Sequence, residues 1–141
     1  MLTSRLTHPQ ILTALASAGH GSQVLLADGN YPFSTGANPD AQVVYLNLTR
    51  GFAPVDEVLD VLSGAIVVEA AHVMVPDEGP EPPIFASFRG ILGDNVALQP
   101  MERFAFYEAA RGRDVALVVA TGEQRVYANI LLTIGVVPPD A

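Results

Sequence analysis

The 141-residue chain contains no cysteine, no lysine and no tryptophan. Absence of cysteine excludes disulfides, thiolate metal sites and a Cys nucleophile, and it fits a reducing compartment. Absence of lysine leaves seven scattered arginines against fifteen acidic residues, a net charge of −8. Phosphate backbones are bound by clustered Lys and Arg, so nucleic acid is not an expected partner. Charge is scarce altogether, 16% of residues, where roughly a quarter is usual. A chain of this size with so few groups to solvate its outside is expected to cover part of it with other subunits, as a homo-oligomer. The opening MLTSRLTHPQ lacks the basic and apolar segments of a secretory signal. The most apolar region, residues 62–75, is interrupted by Glu69 and His72 and is too short to cross a bilayer. The expectation is a cytoplasmic protein without membrane contact, a single domain over residues 1–141 able to bury roughly 70% of its unfolded surface.

Helical and strand periodicities alternate along the chain. Residues 9–18 predict a helix, with Pro9 at its start, Thr7 or His8 as cap, Ile11, Leu12 and Leu15 on one face, and Gly19 as a left-handed stop. Residues 23–27 form an apolar run closed by Asp28-Gly29-Asn30, the pattern of a buried strand ending in a turn. A strand at 42–46, an amphipathic helix at 54–62 and a strand at 65–73 follow. An acidic, proline-rich loop, PDEGPEPP, occupies 76–83. Beyond it the pattern predicts a helix at 84–92, a strand at 95–98, a helix at 102–111, and strands at 115–120 and 127–137. This alternation predicts an α/β fold whose sheet is largely parallel and covered on both faces.

Several chemistries lack their motifs. GHGSQ at 19–23 has no third glycine and precedes its strand, so it is not a dinucleotide fingerprint. His8, His20 and His72 have no ligand spacing, so no metal is expected. Ser22 lacks a nucleophile-elbow sequence. Five residues remain: His20, Asp28, Arg103, Tyr127 and Asn129. His20, bracketed by glycines, is either a solvated helix stop or an imidazole held at a groove to exchange protons near neutral pH. Asp28 is either an Asp-Gly turn residue or a binding group at a strand's C-terminal end, where ligands gather in open α/β sheets. Arg103 is a surface ion-pair partner or an anchor for a ligand. Tyr127 and Asn129, two apart on a predicted strand, would share one face, for packing or for polyhydroxyl recognition. His72, Glu69 and Met74 read as structural.

Taken together, these segments resemble the D-ribose pyranase / L-fucose mutarotase family. GHGSQVLLADGNYP resembles its entry segment, LTRGFAPVDEVLDVL its middle helix, and RFAFYEAA, VVATGE and YANILLTIGV its C-terminal half. The resemblance implies a three-layer α/β/α sandwich assembled into rings, often two stacked pentamers. It also implies cofactor-free interconversion of the anomers or ring forms of a small neutral monosaccharide. By motif, His20 matches the general acid and Asp28 a sugar-binding carboxylate. Tyr127-Ala128-Asn129 matches the sugar-binding Tyr-Gly/Ala-Asn, and Arg103 the sugar-binding arginine of the fucose branch. Ser22 stands where the family usually has Asp, and LTRG with Tyr-Ala-Asn leans to the ribose branch. On this reading His20 moves protons and Tyr127 is a second proton-transfer group. Asp28 accepts from two sugar hydroxyls, while Arg103 and Asn129 hold others. A non-catalytic cytosolic sugar-binding or transport-accessory protein would use many of the same residues. A strand rising ~3.3 Å per residue puts His20 and Asp28 roughly 17 Å or more apart, too far for one sugar to touch both unless the GHGS segment folds back; the simpler solution is a site shared between two subunits.

Overall fold

Val24, Leu25, Leu26 and Ala27 have no exposed surface, as a strand covered on both faces and both edges must be. The computed structural model, which describes residues 1–140, puts that strand, β1 (Gln23–Ala27), inside a six-stranded sheet. The other strands are β2 (Gln42–Tyr45), β3 (Val68–Val75), β4 (Leu98–Glu102), β5 (Val115–Ala120) and β6 (Ile130–Ile134), in the spatial order β2-β5-β1-β6-β3-β4. β1 pairs parallel with β5, and β5 with β2; β3 pairs parallel with β4. β6 is antiparallel to both neighbours, β1 and β3, so five strands point one way and β6 alone points back. The sheet is therefore largely parallel, as the alternation predicts.

Four helices complete the layers: α1 (Pro9–Ser17), α2 (Val55–Ser63), α3 (Ile84–Leu92) and α4 (Arg103–Ala110). One face buries Ile11 of α1, Val55, Leu59 and Leu62 of α2, and Ile84, Phe85 and Phe88 of α3 against Val24, Leu26, Ile130 and Leu132. The other face is covered by α4, through Phe106 and Ala110, and by the segment carrying Tyr31 and Ala37; both pack on Leu25, Val118 and Leu131. Each such Leu or Phe, fully buried, contributes about 1.5–3 kcal/mol. The architecture is the three-layer α/β/α sandwich.

Local sequence sets the boundaries. Pro9 opens α1, and the His8 ring accepts the Ile11 N–H as its cap. The helix ends at Ser17 on an extended Ala18, and the left-handed glycine nearby is Gly21 (φ 86°), after His20, where the sequence suggests Gly19. α4 begins on Glu102, whose carboxylate accepts the N–H groups of Phe104 and Ala105. Two strands are displaced from expectation. β3 starts at Val68, not 65, and runs to Val75; β4 lies at 98–102, not 95–98, and accommodates Pro100 because it is an edge strand. The last strand is confined to 130–134, so Tyr127 and Asn129 are not strand neighbours sharing a face by alternation. Tyr127 instead has a left-handed backbone (φ 56°) in the turn before β6.

Candidate functional site

Parallel strands end together, and the open end of β1 is where Asp28 emerges. Its side chain is buried, 3% exposed, and held by the turn that leads into the reversed strand β6. Asp28 Oδ2 accepts the Ala128 N–H and the Asn129 amide, each at 3.2 Å, and Oδ1 accepts the Asn30 N–H at 3.0 Å. Asn129 Oδ1 in turn accepts the Asp28 N–H at 2.7 Å. Because β6 runs against β1, its first residues lie beside the last residues of β1, and this reciprocal pair forms across a separation of 101 residues. Burial pushes the Asp28 carboxyl above its ordinary value, and the Asn30 and Ala128 N–H groups and the Asn129 amide pull the other way. Three of a carboxylate's roughly four lone-pair directions are occupied, which leaves about one for a ligand hydroxyl, not two.

A cavity of about 140 Å³ opens over this pair, lined among others by Arg103, Tyr107, Tyr127 and Met74. Arg103 stands on the first turn of α4 with its guanidinium 4.9 Å from the Phe104 ring centroid. Tyr107, one turn later, packs edge-on against Tyr31 at 5.4 Å and Phe104 at 6.4 Å. The walls thus combine aromatic faces, hydroxyls, an amide, a carboxylate and a guanidinium, a set suited to a small polyhydroxylated ring with apolar faces. Asp28, Arg103, Tyr127 and Asn129 meet here, as the sequence suggests. Asn30, Tyr31, Met74 and Tyr107 line it too, and the motif reading does not mark them as ligand contacts. The spacing Arg103/Tyr107, four residues apart on a helix, is a signal that could have found one of them. Among the described residues no group of three or more His, Asp or Glu side chains converges to hold a metal, and no helix is long and apolar enough to cross a membrane.

His20 is elsewhere. It lies before β1, at the opposite end of the sheet, with Nε2 3.2 Å from both carboxylate oxygens of Glu69 beside the start of β3. Both side chains are about half exposed. Gly21 N–H donates to Ile134 O, and Gly135 N–H to Val67 O, so the far end of β6 ties both segments together. The Asp28 cavity and the imidazole thus lie at opposite ends of β1 within one chain. The cavity is also small beside the roughly 300–1,000 Å³ of ordinary small-molecule sites.

A larger cleft, about 370 Å³, adjoins the cavity and shares Asn30 with it. Its wall includes Glu123, buried and tied to Arg125 at 2.8 Å and to the Val55 N–H at 3.0 Å. Burial would raise the Glu123 carboxyl, but the Arg125 and backbone donors outweigh it and hold it below the usual range. That carboxylate is committed to anchoring the start of α2, so the smaller cavity is the candidate site on chemical grounds.

Comparison with known proteins agrees in extent and in kind. Residues 1–137 match the RbsD / FucU transport protein family. The chain is 34% identical to the fucose mutarotase of Danio rerio, over 94% of this chain and 90% of that one. It is 31% identical to the D-ribose pyranase of Geobacillus kaustophilus (strain HTA426), over 96% and 95%. It also superposes on the crystal structure of the fucose mutarotase from Streptococcus pneumoniae in complex with L-fucose, with a TM-score of 0.73, 29% identity, and coverage of 93% and 94%. With the sheet order, the Asp28–Asn129 pair and these matches in view, the chain belongs to the RbsD / FucU family.

Proposed function

We propose that this protein is a monosaccharide mutarotase or pyranase, an isomerase that interconverts the anomers or ring forms of a free fucose-like or ribose-like sugar. The observation that carries the proposal is the cluster of Asp28, Asn129, Tyr127 and Arg103 on one cavity, in a chain similar throughout to fucose mutarotases and a ribose pyranase. Ring opening breaks the bond between the anomeric carbon and the ring oxygen. The anomeric hydroxyl loses a proton, the ring oxygen gains one, and reclosure after rotation about C1–C2 reverses both transfers. No electron leaves and no net proton is consumed. Water performs this slowly, and a positioned acid–base group typically adds ~10²–10⁴-fold.

Asp28, with one lone-pair direction free, receives one sugar hydroxyl and orients the ring. Arg103 and Asn129 hold further hydroxyls, and Tyr127 offers an aromatic face and a hydroxyl able to pass a proton. His20 carries the main proton transfer from a neighbouring subunit. The small cavity, the imidazole at the opposite end of β1 and the low surface charge support that sharing. A cytoplasmic homo-oligomer of two pentameric rings is the assembly we assign, on the family resemblance.

The test is magnetisation-exchange NMR between anomer signals of ribose, fucose and other sugars, with mixed subunits. His20→Ala and Asp28→Asn chains are each expected to be inactive alone and to recover part of the exchange rate once co-assembled. No recovery in verified mixed oligomers would overturn the shared site.

A further inference from the structure

His20 is the proton carrier in the reading above, and an imidazole does that work well only if one nitrogen is committed and the other is free. The structure contains such a commitment. Nε2 sits 3.2 Å from Glu69 Oε1 and 3.2 Å from Oε2, so the carboxylate meets it head-on with both oxygens. A carboxylate can only accept, which places the proton of the neutral ring on Nε2 and leaves Nδ1 as the bare nitrogen. Nδ1 has no hydrogen-bond partner among the described residues. The neighbouring hydroxyl, Ser22 Oγ, accepts the Gly19 N–H at 3.3 Å and closes the turn on which His20 sits. The left-handed Gly21 (φ 86°) and the bonds Gly21 N–H to Ile134 O and Gly135 N–H to Val67 O hold the two segments carrying His20 and Glu69 side by side.

We infer that Glu69 is a positioning residue for the reaction: it fixes the His20 ring with Nε2–H toward its carboxylate, so that Nδ1 is the atom that exchanges protons with the sugar. This rests on the assignment of His20 as the proton carrier. When the ring takes a second proton during turnover, the same carboxylate still faces it, without itself touching the sugar.

The experiment combines kinetics with the state of the ring in the full-length protein. Nitrogen-15 spectra of the histidines at a pH where His20 is neutral, assigned by difference against His20→Ala, are expected to show His20 as the Nε2–H form. In Glu69→Gln, whose amide can either accept or donate, the two forms mix. There kcat for anomer exchange falls on the order of tenfold, a fraction of the ~10²–10⁴ a positioned acid–base group supplies, with KM little changed. Glu69→Asp, which keeps the charge on a shorter arm, retains an intermediate kcat and guards against misfolding of the amide variant. A wild-type His20 protonated on Nδ1, or an unchanged kcat in Glu69→Gln while His20→Ala is inactive, would overturn the positioning role alone. An active His20→Ala would remove the proton carrier and overturn both readings.

Discussion

Replacing Asn129 by aspartate changes one group of atoms and nothing of the shape. In Asn129→Asp the remaining side-chain oxygen would still accept the Asp28 N–H, now 2.7 Å away. The amide that donates to Asp28 Oδ2 at 3.2 Å would become an oxygen facing an oxygen. Two carboxylates at that distance, at an effective dielectric of about 20, repel by about 5 kcal/mol. The fold has a less costly alternative, which is to keep one proton between them; the resulting hydroxyl replaces the lost amide donor. Holding a proton that an ordinary Asp (pKa ~3.9) releases in the unfolded chain costs about 1.4 kcal/mol per pH unit, so about 4 kcal/mol at pH 7. The pair's carboxyl is raised on folding, so the variant's stability is retained near pH 4 and lost as pH rises towards the raised value. Wild-type Asp28, itself raised by burial, shifts in the same sense, so the difference between the two proteins is the relevant quantity. Urea denaturation of both at fixed protein concentration, from pH ~4.5 to ~7.5, is expected to show that difference widening by up to about 1.4 kcal/mol per unit, the full slope being reached once wild-type Asp28 has itself given up its proton. A difference that stays flat with pH would refute the reciprocal Asp28–Asn129 pair as the support of the site.

Two further substitutions test the scaffold around it. Gly122→Ala would press its Cβ against the Thr49 and Phe52 carbonyl oxygens, both backbone; a loss of about 3 kcal/mol or more, or failure to fold, is expected by calorimetry, and a variant melting within a degree of wild type would contradict it. Tyr31→Phe keeps the ring between Phe106 and Tyr107 but removes the hydroxyl that donates to Gly36 O. A cost of about 1–3 kcal/mol in urea is expected, since the buried carbonyl loses its donor, and no measurable loss would mean that water replaces it.

The parts of this molecule set by local chemistry were readable in its sequence. Helix α3 and strands β1 and β5 fall where the periodicity places them, because their apolar runs are bounded by proline, glycine or aspartate. The residues that carry the site were legible as types at strand ends and on the first turn of a helix. What brings them together was not. The Asp28–Asn129 pair depends on β6 lying reversed beside β1, and sheet order is a long-range choice with no local mark. Tyr127 illustrates the limit further: a left-handed aromatic residue is held by its surroundings and carries no signature of its own. Met74 reads as packing and does pack, beside Phe106, yet its position at the end of β3 also puts it in the cavity wall.

Strand β6 is only five residues long, and its two ends serve different halves of the proposed chemistry. Asn129 just before it grips Asp28, while Ile134 and Gly135 at its close brace the segments carrying His20 and Glu69. A deletion of a single residue inside it would flip every later side chain to the opposite face and dislocate one of these grips. The length of this short strut is therefore subject to two demands at once, and drift by insertion or deletion should be tolerated in the surrounding loops long before it is tolerated there.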